Sequence, residues 1–145
     1  MKSLKDLSLT ERMVMGKNLP VTVQELLSLR RAVGWSEKGD YEKILKEDLF
    51  HITARLDGKL VGFLPVTGSP HGDLLVYNMC VHPDVQRKGV GTCLVEMALE
   101  ACQELNPLGI NVLFEEENRP FFERFGFRIM NGGYMDILSG LTPSK

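Results

Sequence analysis

The sequence of 145 residues predicts a single mixed α/β (α+β) domain that spans residues 1–145. Two observations support this fold class. Stretches with helical spacing of apolar residues alternate with stretches of strand spacing, and a strand–helix–strand unit lies near the centre. The hydrophobic fraction of 43% and the charged fraction of 25% are ordinary for a globular protein. A chain of this length can bury a sizeable core.

The first third of the chain predicts one strand and two helices. A strand is expected over residues 11–16. The segment Thr22-Val23-Gln24-Glu25 is a capping box that begins a helix, and Gly34 ends that helix. A second, shorter helix is expected over residues 41–48.

Three strands are expected next. Apolar and polar residues alternate over residues 50–55, which is the period of a half-buried strand. Asp57-Gly58 is a two-residue hairpin turn that leads into a second strand, residues 59–66. A loop of turn-forming residues, 67–72, precedes the almost entirely apolar stretch 74–81, which is typical of a strand covered on both faces.

The last third predicts helices over residues 91–105 and 120–125, a strand over residues 110–114, and a terminal hairpin. The hairpin consists of residues 127–130, the turn formers Asn131-Gly132-Gly133, and residues 134–138. Its exposed edge could pair with a second copy of the chain, which would give a homodimer.

Charge and cysteine content exclude several classes of function. The net charge is −2, so no general attraction to nucleic acid or to an anionic membrane is expected. No run of about 18 apolar residues occurs, and no signal-peptide core follows the first residues. Cys80, Cys93 and Cys102 lack the spacing of a metal site or a disulfide framework. We therefore expect a cytoplasmic protein without nucleic-acid, membrane or metal partners, with Cys93 and Cys102 in its core.

The clearest chemical signal lies at the end of the apolar stretch 74–81. Pro83 ends the strand, and Gln86-Arg87-Lys88-Gly89-Val90-Gly91 leads into the next helix. A helix N-terminus carries unpaired backbone N–H groups and a partial positive charge, and glycines let phosphate oxygens approach them. The two basic residues of the segment add charge, and Thr92 adds a hydroxyl in the first turn. The pattern predicts a local anion site on a mildly acidic protein.

Two common nucleotide-binding patterns do not fit this loop. A Walker A loop would need Lys followed by Ser or Thr at the helix start, whereas Gly91 is followed by Thr92 and Cys93. The dinucleotide pattern Gly-x-Gly-x-x-Gly would need glycine at position 94, which is Leu94. Both nucleotide interpretations therefore fail on specific residues.

The segment from Val81 to Gly91 resembles the hallmark of the GNAT superfamily of N-acetyltransferases. That hallmark is Gln/Arg-x-x-Gly-x-Gly/Ala after a strand that ends in Val-x-Pro. The similarity extends to Asn118 and to Phe122-Glu123-Arg124-Phe125-Gly126-Phe127, which is similar to the family's Tyr-Glu-Lys-x-Gly-Phe. The hairpin at Asp57-Gly58, followed by Leu60-Val61-Gly62, also resembles the family. The resemblance covers most of the chain after its first third.

The resemblance implies a central mixed, twisted sheet that is splayed into a V and carries helices on both faces. It also implies acetyl-coenzyme A as co-substrate and no metal. Asn118 would contact coenzyme A near its thiol. The backbone that pairs with the pantetheine arm would be that of Met79, Cys80 and Val81. The residues that hold the pyrophosphate would be Arg87, Lys88, Gly89, Val90, Gly91 and Thr92.

The catalytic positions of the family are where this sequence departs from it. The Tyr that often protonates the departing thiolate corresponds to Phe122, which has no proton to give. Two family positions for a catalytic Glu correspond to Leu75 and Leu113. We predict Glu115, two residues beyond Leu113 on the same strand face, as a candidate base. Tyr134 on the terminal hairpin is a candidate acid in place of the missing Tyr.

The resemblance therefore predicts an enzyme that moves an acetyl group from acetyl-coenzyme A to an amine by direct attack in a ternary complex. We expect the amine to belong to a small molecule. Two alternatives stay open. One is a peptide or protein N-acetyltransferase. The other is a non-catalytic module that binds coenzyme A, which the missing Tyr and Glu favour.

Overall fold

A computed structural model describes residues 3–5 and 7–138, apart from the side chain of Leu7. The helices of this part are α1 (Leu7–Thr10), α2 (Val23–Ala32), α3 (Tyr41–Glu47), α4 (Val90–Gln103) and α5 (Arg119–Glu123). The strands are β1 (Met13–Lys17), β2 (Phe50–Leu56), β3 (Lys59–Gly68), β4 (Asp73–Val76), β5 (Cys80–Val81) and β6 (Gly109–Val112). Short 3-10 turns span Pro83–Val85 and Glu116–Asn118.

The strands of the described residues form one sheet in the order β1-β2-β3-β4-β6, with β5 paired to β3 beside this path. Neighbouring strands are antiparallel except β4 and β6, which run parallel. A parallel pair needs a long crossover, and α4 provides it. The predicted mixed sheet with a central strand–helix–strand unit is confirmed.

Buried side chains cover the sheet on both faces. The helix α4 packs against β2 and β3, and its Leu94 is fully buried in the larger cluster, together with Cys93 and Cys102. A second cluster lies beneath α2, where Leu26 and Leu29 are buried. Helices on both faces are therefore confirmed. Among the described residues, no helix combines the length and the apolar character needed to cross a bilayer.

The predicted capping box begins α2. The backbone N–H of Glu25 donates to Thr22 Oγ1 at 3.1 Å, and the N–H of Thr22 donates to Glu25 Oε2 at 3.4 Å. The same carboxylate pairs with Arg55 of β2 at 2.5 Å, and the hydrogen bond from that guanidinium lowers the pKa of Glu25. The start of α2 is thereby fixed to the sheet.

The stretch 74–81 is not one continuous strand, and this prediction was wrong in its extent. Asn78 adopts a positive φ of 48°, which separates β4 from β5. Left-handed backbone interrupts the ladder, and Asn tolerates it better than apolar residues do. The apolar composition alone did not reveal this break.

The predicted terminal hairpin is absent. Residues 127–138 form no strand in the structure, and most of their side chains are exposed. The favoured hairpin turns of two or three residues contain at least one residue with positive φ, and none of Asn131, Gly132 and Gly133 adopts it. The homodimer expected from this hairpin therefore loses its structural basis and stays a prediction.

We expect Leu94→Ala to lower the free energy of unfolding by about 2–5 kcal/mol, because it opens a cavity between α4 and the sheet. Urea denaturation measures the change. The matched control is Leu108→Ala, since Leu108 is 85% exposed and its truncation should change stability by less than about 0.5 kcal/mol. Equal losses in both variants would contradict this account of the core.

Candidate functional site

The break at Asn78 opens one edge of the sheet. β4 and β6 stay paired as far as Val76 and Val112, and the N–H of Leu113 reaches Val76 O at 3.3 Å. Beyond this point β5 pairs with β3, and no described strand pairs with its other edge. Backbone polar groups need partners, so this edge can receive an extended ligand that carries amides. The opening corresponds to the V-shaped splay that the family resemblance implies.

The loop after β5 is held by its own side chains. His82 Nδ1 accepts from the N–H of Asp84 at 3.1 Å, so this histidine stabilises the turn. Gln86 Nε2 donates to Val81 O at 2.8 Å, and Val85 is buried beneath the loop. These contacts fix the position at which α4 begins.

The first turn of α4, here called the anion cradle, has the geometry that the predicted anion site requires. Gly89 is the N-cap residue with a φ of 90°, and the N–H of Cys93 donates to its carbonyl at 3.1 Å. The N–H groups of the first turn have no acceptor within the helix, and the helix dipole adds positive charge there. Arg87 is exposed beside this turn with a positive φ of 63°, and Lys88 is half-buried. The geometry suits a phosphate group.

An N-terminal segment crosses the back of this loop. The N–H of Lys5 donates to Lys88 O at 2.8 Å, and Ser3 Oγ donates to Glu96 Oε1 at 2.7 Å. Leu4 between them is buried. A Cβ atom at Gly89 would overlap the carbonyl oxygen of Ser3. Gly89 is therefore needed for the packing of this segment and for its positive φ, not only for the approach of a phosphate.

Gly91 faces away from the N-terminal segment that packs on Gly89. A Cβ atom there would lie 3.4 Å from Met79 Cε, 3.6 Å from Phe121 Cζ and 3.7 Å from Val81 Cγ2, all ordinary contacts. It would therefore point between β5 and α5, towards the open edge. The two glycines of the motif consequently have different structural roles.

Sequence reasoning missed one cation beside the cradle. Arg124 Nη2 donates to Thr92 Oγ1 at 3.1 Å, and its guanidinium stacks 5.1 Å from the centre of the Phe121 ring. It thus stands next to the first turn of α4. The basic residue in Phe-Glu-Arg-Phe was the available signal, but nothing local connects it to a position 32 residues earlier.

A cavity of about 350 Å³ adjoins the strand break. Asn78 and Cys80 line it on the sheet side, and α2, α3 and the C-terminal segment supply its other walls. Tyr134 lies at its rim and is 78% exposed. Glu115 and Asn118 are exposed and do not belong to its lining, so their position gives no support to a role in this cavity.

Two side chains in the cavity wall are joined by hydrogen bonds. The hydroxyl of Tyr77 lies 2.8 Å from Asp48 Oδ1 and 3.0 Å from Oδ2. Burial raises the pKa of Asp48, while hydrogen bonds from Tyr77 and Thr67 oppose that shift. Burial also raises the pKa of Tyr77, which therefore stays a hydrogen-bond donor. This pair could not be read from the sequence.

Two other residues lack the properties of an acid or a nucleophile. Phe122 is buried and stacks on Phe114 with 4.9 Å between ring centres, so an aromatic cluster fills the position that the sequence resemblance assigns to the family's Tyr. Burial raises the pKa of the Cys80 thiol to about 12, and the thiolate is the nucleophilic form. Cys80 is therefore a packing residue of the cavity wall and not a nucleophile.

Comparison with known proteins identifies the class. The model of the acetyltransferase (GNAT) domain matches residues 47–129. A GNAT-family acetyltransferase from Streptococcus pneumoniae is 26% identical with a TM-score of 0.75, covering 86% of this chain and 97% of its own. A probable acetyltransferase from meticillin-resistant Staphylococcus aureus is 19% identical with a TM-score of 0.76, covering 86% and 99%. No curated protein sequence matches the chain.

A third similar structure is that of an aminoglycoside acetyltransferase from an uncultured soil metagenomic sample, in complex with sisomicin. It is 16% identical with a TM-score of 0.64, and the alignment covers 92% of this chain and 99% of that one. The matched domain spans more than half of this chain. The chain therefore belongs to the GNAT family of acetyltransferases, as its loop motif indicated.

We expect Gly89→Ala to lower the free energy of unfolding by at least about 1–2 kcal/mol, because an L-residue is strained at this φ and its Cβ would displace Ser3. Gly91→Ala, the matched control, should change it by less than about 1 kcal/mol and towards greater stability. Thermal unfolding without ligand measures both. Equal effects would contradict the assignment of different roles to the two glycines.

Proposed function

We propose that this protein transfers the acetyl group of acetyl-coenzyme A to the amine of a small molecule, by direct attack in a ternary complex. The observation that carries the proposal is the meeting of two sites at the strand break. The open edge of β5 leads to the anion cradle at α4, and the cavity of about 350 Å³ begins at Asn78 and Cys80. A cofactor on one side and an acceptor on the other would meet there.

Acetyl-coenzyme A fits the first of these sites by its chemistry. Its pantetheine arm carries amides, which can pair with the backbone of Met79, Cys80 and Val81 as an added strand would. Its pyrophosphate suits the first turn of α4. The residues we propose to bind it there are Arg87, Lys88, Gly89, Val90, Gly91 and Thr92. Asn118 as a contact near the thiol rests on family resemblance alone.

The size of the cavity favours a small acceptor over a peptide. Pockets for small molecules span about 300–1,000 Å³, and this cavity lies at the lower end of that range. A similar structure is that of an aminoglycoside acetyltransferase in complex with sisomicin, so a small-molecule acceptor is compatible with this fold. A peptide or protein acceptor remains the alternative within the same reaction class.

The chain's own groups would contribute to transfer in three ways. They hold the thioester beside the amine, which replaces an encounter in solution by a fixed geometry. Backbone N–H groups at the splayed edge can stabilise the negative charge that develops on the thioester oxygen. Tyr134, at the cavity rim, is our candidate for protonating the thiolate in place of Phe122. Glu115 as base lacks positional support, and water is its alternative.

The proposal is tested by binding and turnover together. Acetyl-coenzyme A at about 100 times its Kd should raise the free energy of unfolding by about 2.7 kcal/mol, and a panel of small amines should release free coenzyme A. Gly91→Leu should weaken cofactor binding, because its side chain would enter the space beside Met79 and Phe121. Absence of any stabilisation would exclude the shared premise of cofactor binding.

We expect Tyr134→Phe to slow coenzyme A release about tenfold. This loss is smaller than the usual 10²–10⁴-fold effect of removing an acid catalyst, because a thiolate leaves readily without protonation. Steady-state rates at saturating substrates measure this. Tyr134 is exposed, so stability should not change. Trp35→Phe, another partly exposed aromatic outside the cavity lining, is the control. An unchanged rate would remove Tyr134 from the mechanism.

A second function, a coenzyme A-binding module without catalysis, is favoured by one observation. Phe122 occupies the position of the usual proton donor, within a packed aromatic cluster. Such a module would be stabilised by acetyl-coenzyme A and would release no coenzyme A with any amine. A cytoplasmic location and a homodimer stay predictions under either function.

A further inference from the structure

The cavity wall contains the carboxylate of Asp48, which is not part of any motif recognised in the sequence. Asp48 follows the last residue of α3, and its side chain is part of the cavity wall. Tyr77 donates to it at 2.8 Å, and Thr67 supplies another hydrogen bond. A carboxylate has about four acceptor positions, so these donors leave capacity for a ligand. Asp48 is therefore oriented from the sheet side and can still accept hydrogen bonds from the cavity.

Aromatic rings line the same cavity as this carboxylate. Tyr41, Phe63, Tyr77 and Tyr134 all belong to the cavity lining. Faces of aromatic rings attract cations, and ring surfaces also bury apolar groups. A carboxylate within such walls is a site for an ammonium group attached to an apolar body.

The other charges of the cavity oppose a polycationic ligand. Asp48 and Asp136 are matched by Arg30 and Lys38 in the same lining. The guanidinium of Arg30 is held by Ser36 O at 2.7 Å and lies 4.9 Å from the centre of the Tyr41 ring. Because the formal charges balance, attraction of a cation depends on contact with one carboxylate rather than on the field of the whole cavity.

We propose that Asp48 binds the ammonium group of the acceptor, and that the acceptor is a small amine with a single positive charge and an aromatic or apolar body. Tyr77 is a positioning residue, since its hydroxyl fixes the carboxylate that meets the ligand. The inference rests on the proposed function, because it names the acceptor class of that site. It is nevertheless testable by equilibrium binding, which does not require turnover.

The probe is 2-phenylethylamine, titrated calorimetrically into the protein in the presence of saturating coenzyme A. Asp48→Asn should raise its Kd about tenfold or more, because a part-buried charged hydrogen bond is lost. The uncharged analogue 2-phenylethanol should bind both proteins weakly and equally. Glu47→Gln is the matched control, because it removes one negative charge from the exposed neighbouring residue and should change the Kd less than twofold.

Two further variants keep the test decisive if Asp48→Asn folds poorly. Asp48→Glu retains the charge and should bind the amine more tightly than Asp48→Asn. Tyr77→Phe keeps the ring and removes the hydroxyl, and should raise the Kd about three- to tenfold without improving the binding of 2-phenylethanol. If Tyr77→Phe loses the preference for the amine over the alcohol, the Tyr77 hydroxyl positions the charge of Asp48. A merely structural defect would weaken the binding of both ligands and leave that preference unchanged.

The outcomes separate this inference from the proposed function. It is overturned if the wild type does not bind 2-phenylethylamine, if Asp48→Asn binds it equally well, or if spermidine binds more tightly than the monoamine. Failure of the proposed function would be recognised by different results. In that case acetyl-coenzyme A does not stabilise the protein, or no amine in the panel releases coenzyme A. Amine binding that depends on Asp48 in an inactive protein would support an ammonium site at Asp48, and would reject both catalysis and the role of that amine as an acceptor.

Discussion

The site depends on the loss of strand pairing beyond Val76 and Val112. Up to that point β4 and β6 satisfy each other's backbone groups, and beyond it Asn78 turns the chain and β5 continues beside β3 alone. Unpaired strand edges are templates for another extended chain, and proteins rarely leave them without a purpose. The same break places the anion cradle at the end of β5 and the cavity at Asn78. One backbone irregularity thus brings the proposed cofactor and acceptor positions together.

The cradle is supported from behind by a segment distant in sequence. Ser3–Lys5 crosses the loop, and Lys5 donates a backbone hydrogen bond to Lys88. Gly89 has to lack a side chain for this crossing, whereas Gly91 lacks one on the side that faces Met79 and the open edge. Two glycines that look equivalent in the motif therefore meet two constraints. The constraint on Gly89 comes from the packing of the fold, and the constraint on Gly91 would come from the proposed ligand.

Sequence patterns predicted those features whose causes are local. The capping box at Thr22, the buried stripe of α4 and the glycine-rich helix start each depend on residues within a few positions of one another. The prediction of a terminal hairpin was wrong, although Asn-Gly-Gly is a strong turn signal. Turn residues permit a hairpin, but only strand pairing and burial of side chains stabilise it. The pair formed by Asp48 and Tyr77 joins positions 29 residues apart, which no local pattern encodes.

Under the proposed function, the replacement of the family's usual Tyr by Phe122 makes deprotonation of the acceptor amine the more demanding proton transfer. A thiol with a pKa of about 8.5 leaves as a thiolate near neutral pH with little help, so the missing donor removes a modest contribution. An alkylamine with a pKa of about 10.4 is almost wholly protonated at pH 7, and its deprotonation costs about 4.6 kcal/mol. Deprotonation of the amine therefore contributes more to the activation free energy than protonation of the leaving thiolate does. In the proposed site, a carboxylate held by Tyr77 in the cavity wall orients that ammonium, and its proton passes to water before the amine attacks the thioester.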